Sequence, residues 1–161
     1  MRVKIVAVGR MKAGPERDLV SRYIDRAQAC GRPLGLPEFI TVEVPESRAS
    51  SADARKLDEA KALLAAIPEK AVIMALDERG RTIASADFAD RIGRWRDDGR
   101  PALSVLIGGA DGLHEDLRER ADLVLSFSPM TWPHQLARIM AAEQLYRATT
   151  ILSGHPYHRG D

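Results

Sequence analysis

Along the chain, short apolar runs of strand length alternate with longer stretches in which apolar residues recur every three or four positions. Val3 to Val8 is a β-rich run that stops at Gly9. Pro15 to Ala29 carries Leu19, Tyr23 and Ile24 at helical spacing and ends near Gly31. From Phe39 to Val44, Phe39, Thr41 and Glu43 alternate with Ile40, Val42 and Val44, a period-two strand closed by Pro45. Ser51 to Ile67 returns to the helical period, with Leu57, Leu64 and Ile67 on one side and Pro68 as its stop.

Ala71 to Leu76 is a continuous apolar run, the pattern of a strand buried on both faces, and Leu103 to Ile107 is a second strand of buried type. The first is expected to end in a polar turn, Asp77-Glu78-Arg79-Gly80, and the second runs straight into Gly108-Gly109. Between them, Ser85 to Arg96 reads as a helix with Ser85 as its cap. A short helix over Glu115 to Arg120 and a strand from Leu123 to Phe127 follow. The last element is a long helix from Pro133 to about Thr150, with Pro133 in the first turn, where a missing N–H costs nothing. Five strands alternating with five helices predict an α/β fold, a mostly parallel sheet flanked by helices. There is no internal repeat and no long linker, so residues 1–161 are expected to form a single domain.

Composition narrows the class. A chain of 161 residues with 45% apolar and 29% charged residues can fold without staples. Its 24 Lys and Arg against 23 Asp and Glu leave a net charge of +1, so any surface for nucleic acid must be local or assembled from more than one subunit. The lone Cys30 excludes an intrachain disulfide and a cysteine zinc site. The N-terminal apolar run is too short for a signal peptide, and no stretch approaches the ~20 apolar residues of a membrane span. A cytoplasmic protein with no membrane partner is expected.

Ligands of open α/β sheets bind at the carboxyl ends of strands, and three such ends are unusual here. One is Leu76-Asp77-Glu78. Another is Gly108-Gly109-Ala110-Asp111-Gly112, where glycine permits close backbone approach. Its spacing is not the dinucleotide fingerprint, and a tight turn without a ligand remains an open reading. The third, Ser126 to His134, sets Phe127, Met130 and Trp132 among the hydroxyls of Ser126, Ser128 and Thr131. Such a loop either rests on the core or lines an apolar pocket with a few polar anchors.

On the last helix, Leu136, Met140, Glu143 and Arg147 fall on one stripe. The carboxylate and guanidinium are a structural ion pair, an interface contact or a substrate contact. The tail concentrates His155, Tyr157, His158 and Arg159. It reads as a frayed terminus, or as rings and a guanidinium suited to an unpaired base and a phosphate. No cluster with metal-ligand spacing accompanies the two histidines, and no metal is expected.

Taken in order, these motifs resemble the small bacterial SPOUT enzymes of the ribosomal RNA large subunit methyltransferase H family, the pseudouridine N3-methyltransferases. The resemblance begins at Val6-Ala7-Val8-Gly9 and continues through Ile107-Gly108-Gly109-X-X-Gly112-Leu113. It is densest in Leu125-Ser126-Phe127-Ser128-X-Met130-Thr131-X-Pro133-His134, Glu143-Gln144-X-Tyr146-Arg147-Ala148 and His155-Pro156-Tyr157-His158. Pro129 and Trp132 occupy variable positions, and Gly160-Asp161 extends slightly past the usual end.

The resemblance implies a C-terminal trefoil knot and a homodimer with each active site near the subunit interface. It implies S-adenosylmethionine as cofactor, held by Leu76, Gly108 and the run Phe127, Ser128, Pro129, Met130, Thr131 and Trp132. The expected reaction is methylation of N3 of a pseudouridine in large-subunit (23S) ribosomal RNA on the assembled ribosome. His155, Tyr157, His158, Arg138 and Arg147 are the expected RNA contacts. His134, His155, His158 and Glu143 are the candidate bases, with Glu143 alternatively orienting Arg147. Without the resemblance, a nucleotide-using enzyme on a doubly wound sheet and a non-catalytic ribosome-associated or small-ligand-binding module remain as readings.

Overall fold

Apolar runs that feed helices and then recur as strands leave a chain one simple solution, a sheet covered on both faces. The computed structural model describes residues 1–159 and adopts it; Gly160 and Asp161 lie outside the described residues. The elements are β1 (Arg2–Val8), α1 (Pro15–Gly31), β2 (Phe39–Val44), α2 (Ala52–Ala65), β3 (Val72–Arg81), α3 (Ser85–Asp97), β4 (Ala102–Ile107), α4 (Glu115–Arg120), β5 (Leu123–Leu125) and α5 (His134–Ser153). A 3-10 turn at Arg32–Leu34 follows α1.

The strands lie in the order β2-β1-β4-β3-β5, and every pairing is parallel. Their carboxyl ends therefore share one edge of the sheet. β4 is buried at all six positions, Ser104 included, as a strand covered on both faces requires. On one face, α1, α3 and α5 cover Val3, Ile5, Met74, Leu103 and Val105 with Val20, Phe88, Ile92 and Leu145. On the other, α2 and α4 bring Ala60, Leu63 and Leu117 onto Val6, Val8, Ala75 and Leu106. No helix among the described residues is long and apolar enough to cross a membrane.

Four local expectations change. The segment after Leu76 is no turn: β3 bulges there and rejoins β5, with Arg81 opposite Leu125. Gly80 makes this possible, because a Cβ there would lie 2.6 Å from the Leu125 carbonyl carbon. Ser85 does not cap α3; Ala84 holds the cap position, and the Ser85 hydroxyl donates to Gln144 Oε1 at 2.8 Å instead. β5 stops at Leu125, since Ser126 turns its N–H to Arg81 O at 3.0 Å. Pro133 is the N-cap of α5, and that helix continues through Ser153.

The largest correction concerns Arg138, expected on the RNA-facing surface. It is wholly buried. Its Nη2 donates to the carbonyls of Val8 and, at 2.7 Å, Gly9, while Nη1 donates to Glu43 Oε1 at 3.0 Å. The carbonyls at the end of a parallel strand have no ladder partner beyond it, and this guanidinium supplies one. Glu43 Oε1 also accepts Met11 N–H at 2.7 Å, so one ion pair ties α5 to the ends of β1 and β2. Arg138→Met should strand those acceptors and destabilise the fold by ~3–5 kcal/mol. A lowered urea midpoint with unchanged slope is the expected readout.

Candidate active site

Three loops meet at the carboxyl edge. A cavity of about 650 Å³ opens there, lined by Leu76, Gly108, Phe127, Ser128, Met130, Thr131, Trp132 and His134. Of the residues expected to hold the cofactor, Pro129 alone is not part of the lining. The glycine loop doubles back on itself, with Gly112 N–H donating to Gly109 O at 3.0 Å. A Cβ on Gly108 would sit 2.7 Å from the Gly112 carbonyl carbon, so only glycine lets the strand turn here. Opposite it, the Ser128 hydroxyl accepts from Met130 N at 3.1 Å and Trp132 Nε1 at 3.0 Å, which curls the third loop around it. Ser126 closes the curl by donating to Ser128 O at 2.8 Å. The consequence is visible exposure of apolar side chains, 70% for Met130 and 41% for Trp132.

The loops have partners that the motifs did not reveal, Arg118, Arg55 and Glu59. Asp77 leaves β3 and meets Arg118 of α4 at 3.4 Å. Arg55 of α2 grips Asp111 through Nε at 2.7 Å and Nη2 at 3.1 Å. Beside it, Glu59 is buried against the glycine loop, its Oε1 accepting Ser47 N–H at 3.0 Å. Burial above all pushes the Glu59 carboxyl up; the Ser47 bond opposes this, and the nearby charges of Asp111 and Glu46 add to it. A sequence signal existed, since Glu59 stands one helical turn before the buried Leu63.

The other candidate residues assemble elsewhere. Glu143 Oε1 accepts from Arg147 Nε at 3.0 Å, from Arg147 Nη2 at 2.5 Å and from Tyr157 Oη at 3.0 Å. Its Oε2 accepts Gln144 Nε2 at 2.8 Å. Both carboxylate oxygens are thus engaged, one by Arg147 and Tyr157 and the other by Gln144. The Tyr157 ring lies 4.6 Å from Tyr146 and under the Arg147 guanidinium, and Arg147 Nη1 is 3.4 Å from His158 Nδ1. Burial and then the bond to Glu143 hold the Tyr157 phenol well above its ordinary range. The tail is therefore seated on α5, not frayed, while His155 stays exposed.

Two half-sites result. His134 begins α5 in the pocket and the tail follows its last turn at Ser153. At about 1.5 Å per residue, Glu143 and Arg147 are roughly 14–20 Å along the helix from His134, and Tyr157 and His158 fold back onto that turn. No group of three or more His, Cys, Asp or Glu side chains among the described residues could hold a metal ion.

A glycine-floored pocket at the carboxyl ends of adjacent parallel strands marks a small α/β protein with a ligand site where open parallel sheets hold theirs. The chain belongs to the SPOUT methyltransferase family: the profile described as "Predicted SPOUT methyltransferase" matches residues 1–158. It is 60% identical over 160 residues to the ribosomal RNA large subunit methyltransferase H of Brucella anthropi, covering 99% of both chains. It is 59% identical to the protein of that name from Allorhizobium ampelinum, again with 99% of both covered. Among solved structures, a probable methyltransferase from Bordetella pertussis Tohama I shares the fold with a TM-score of 0.50 at 16% identity, over 91% of this chain and 95% of that one.

The raised Glu59 pKa has a consequence for stability. The folded state holds this proton more tightly than the unfolded chain, so the contribution is fully present below about pH 4.3, where an unfolded glutamate ionises. It is lost as pH rises through the folded value. Glu59→Gln should remove that decline, read as a flatter dependence of the urea midpoint on pH above that point. The lowered Asp53, Asp97 and Asp111 carboxyls act at lower pH and leave the comparison clean.

Proposed function

We propose that this chain is a cytoplasmic, S-adenosylmethionine-dependent methyltransferase of large-subunit ribosomal RNA, methylating N3 of a pseudouridine on the assembled ribosome. One observation carries the reading: Leu76, Gly108 and the apolar loop 127–132 line a single cavity at the carboxyl edge. The names of its full-length relatives supply the RNA class. The cavity suits the cofactor in size, since ligand sites span ~300–1,000 Å³. It suits it in chemistry too, because the exposed apolar side chains of Met130 and Trp132 beside the polar residues of the lining match a purine with a polar sugar. Residues 1–161 act as one domain, with the family's trefoil knot.

The sulfonium supplies an activated methyl group. What remains for the protein is to hold N3 in line with it and exclude water, a positioning effect of ~7–11 kcal/mol. Phe127, Met130 and Trp132 shield the site, and Gly108 offers backbone at close range. A base that takes the N3 proton contributes roughly 10²–10⁴-fold. Of the candidate bases, His134 lines the cavity, whereas His155 and His158 belong to the tail.

The separation of the half-sites supports a homodimer in which each tail completes the partner's cavity. A 20-residue helix holds its own tail away from its own pocket. An antiparallel second copy brings a tail to each pocket, and with it Arg147, Tyr157, His158 and Arg159. Leu136, 42% exposed near the pocket mouth, joins Met130 and Trp132 as apolar surface for such a contact.

The test combines two variants. Gly108→Val should abolish S-adenosylmethionine binding, and truncation after Gly154 should spare binding but remove methyl transfer to ribosomes lacking the modification. Each homodimer should be inactive, while a mixed dimer, with one complete site of two, should regain up to half of the unaltered activity per dimer. Mixed dimers without activity would show that pocket and tail of one chain work together. Absence of transfer by the unaltered protein, despite cofactor binding, would leave a binding module.

A further inference from the structure

Glu59 takes no part in the reaction proposed above, yet among the described residues it is the carboxylate most removed from water, at 6% exposure. Oε1 is engaged by Ser47, but Oε2 has no partner. That oxygen faces the underside of the glycine loop: a Cβ on Gly109 would meet it at 3.0 Å and Val8 Cγ1 at 3.1 Å. One turn earlier, Arg55 holds Asp111 at the far side of the same loop and also donates to the carbonyls of Ala49, at 3.1 Å, and Ser50, at 3.4 Å. Helix α2 thus touches the glycine loop at both ends and ties the segment after β2 to it.

A buried carboxyl oxygen left unpaired carries a desolvation penalty, which an apolar side chain of equal size would avoid. Its presence under a loop whose backbone faces the ligand needs a compensating use. We propose that Glu59 is a positioning residue of the cofactor site, fixing with Arg55 the height and path of Gly108–Gly112 beneath the ligand. The proposal rests on the methyl-donor reading of the pocket. Glu59 stands behind Gly109, outside the cavity lining, so it acts through the loop and not on the cofactor. The charges around it are Asp111 in the loop, Glu46 in the segment after β2 and Arg55 on its own helix.

Glu59→Met keeps the volume and removes the polar atoms, whereas Glu59→Gln keeps an acceptor for Ser47. S-adenosylmethionine binding by calorimetry should weaken about tenfold or more in Glu59→Met, the loss expected of one buried polar group removed. Glu59→Gln should recover most of it. In steady state, Glu59→Met should raise KM for the methyl donor and leave KM for ribosomes unmoved, a split that general destabilisation does not produce. Wild-type affinity in Glu59→Met, or equal rises in both KM values, would overturn the proposal. If the unaltered protein binds no S-adenosylmethionine, the pocket reading fails first. Amide hydrogen exchange at 108–112 in the free protein then decides: faster exchange in Glu59→Met upholds the brace, and unchanged exchange removes it.

Discussion

The constraint from which the rest follows is that all five strands run the same way. Parallel pairing forces each strand to be followed by a crossover, and it gathers every carboxyl end at one edge. That edge then carries a row of loops with unsatisfied backbone groups, which the fold must satisfy or use. At β1 it satisfies them, by driving Arg138 into the end of the strand against Val8 O and Gly9 O. At β4 and β5 the loops surround a cavity, with Gly108 and the curl over Ser128 presenting backbone and apolar side chains together. The same requirement fixes the direction of α5. α5 starts at the carboxyl edge and runs away from it, and the tail folds back only as far as Glu143 and Arg147.

Much of this was legible in the sequence. The apolar run of β3 and the buried-type pattern of β4 marked strands covered on both faces, and β1 and β2 followed from a β-rich run and a period-two alternation. The three loops of the cavity were readable because their composition is wrong for ordinary connections: glycines directly after a buried strand, and Phe127, Met130 and Trp132 where polar residues belong. What stayed hidden depends on partners distant in sequence. Arg138 looks like a surface residue until the ends of β1 and β2 come within reach, 95 or more positions away. The polar segment after Leu76 carries turn composition, and its return to β5 at Arg81 is decided by Gly80 passing over another backbone. Glu59 has one local clue, its place on the apolar side of α2, but the glycine above it comes from an element fifty residues later.

The tail shows how a spacing that looks catalytic acquires a structural meaning first. Glu143 and Arg147 could have been an isolated i, i+4 pair worth a few tenths of a kcal/mol. Tyr157 changes that by donating to the same carboxylate oxygen and lying beneath the guanidinium. The cluster converts a chain terminus, ordinarily the least ordered part of a domain, into a fixed surface. Fixed geometry is what a substrate-positioning group needs, because a loose contact gives back in entropy what it gains in binding.

A near-neutral chain poses a difficulty for an enzyme acting on RNA, since affinity for a polyanion comes largely from local positive charge. The proposed homodimer resolves it without extra basic residues. Each composite site would draw its cofactor pocket from one subunit and Arg147, His158 and Arg159 from the other. The groups that meet RNA would then converge only where a pocket is complete, and an isolated subunit would present no finished site. Weak long-range attraction also makes recognition depend on shape, which suits a substrate that presents one nucleotide in a folded setting over a long stretch of exposed backbone. The small size of the chain and its modest charge are, on this argument, two sides of one solution: the second subunit supplies what a larger or more basic chain would otherwise have to carry.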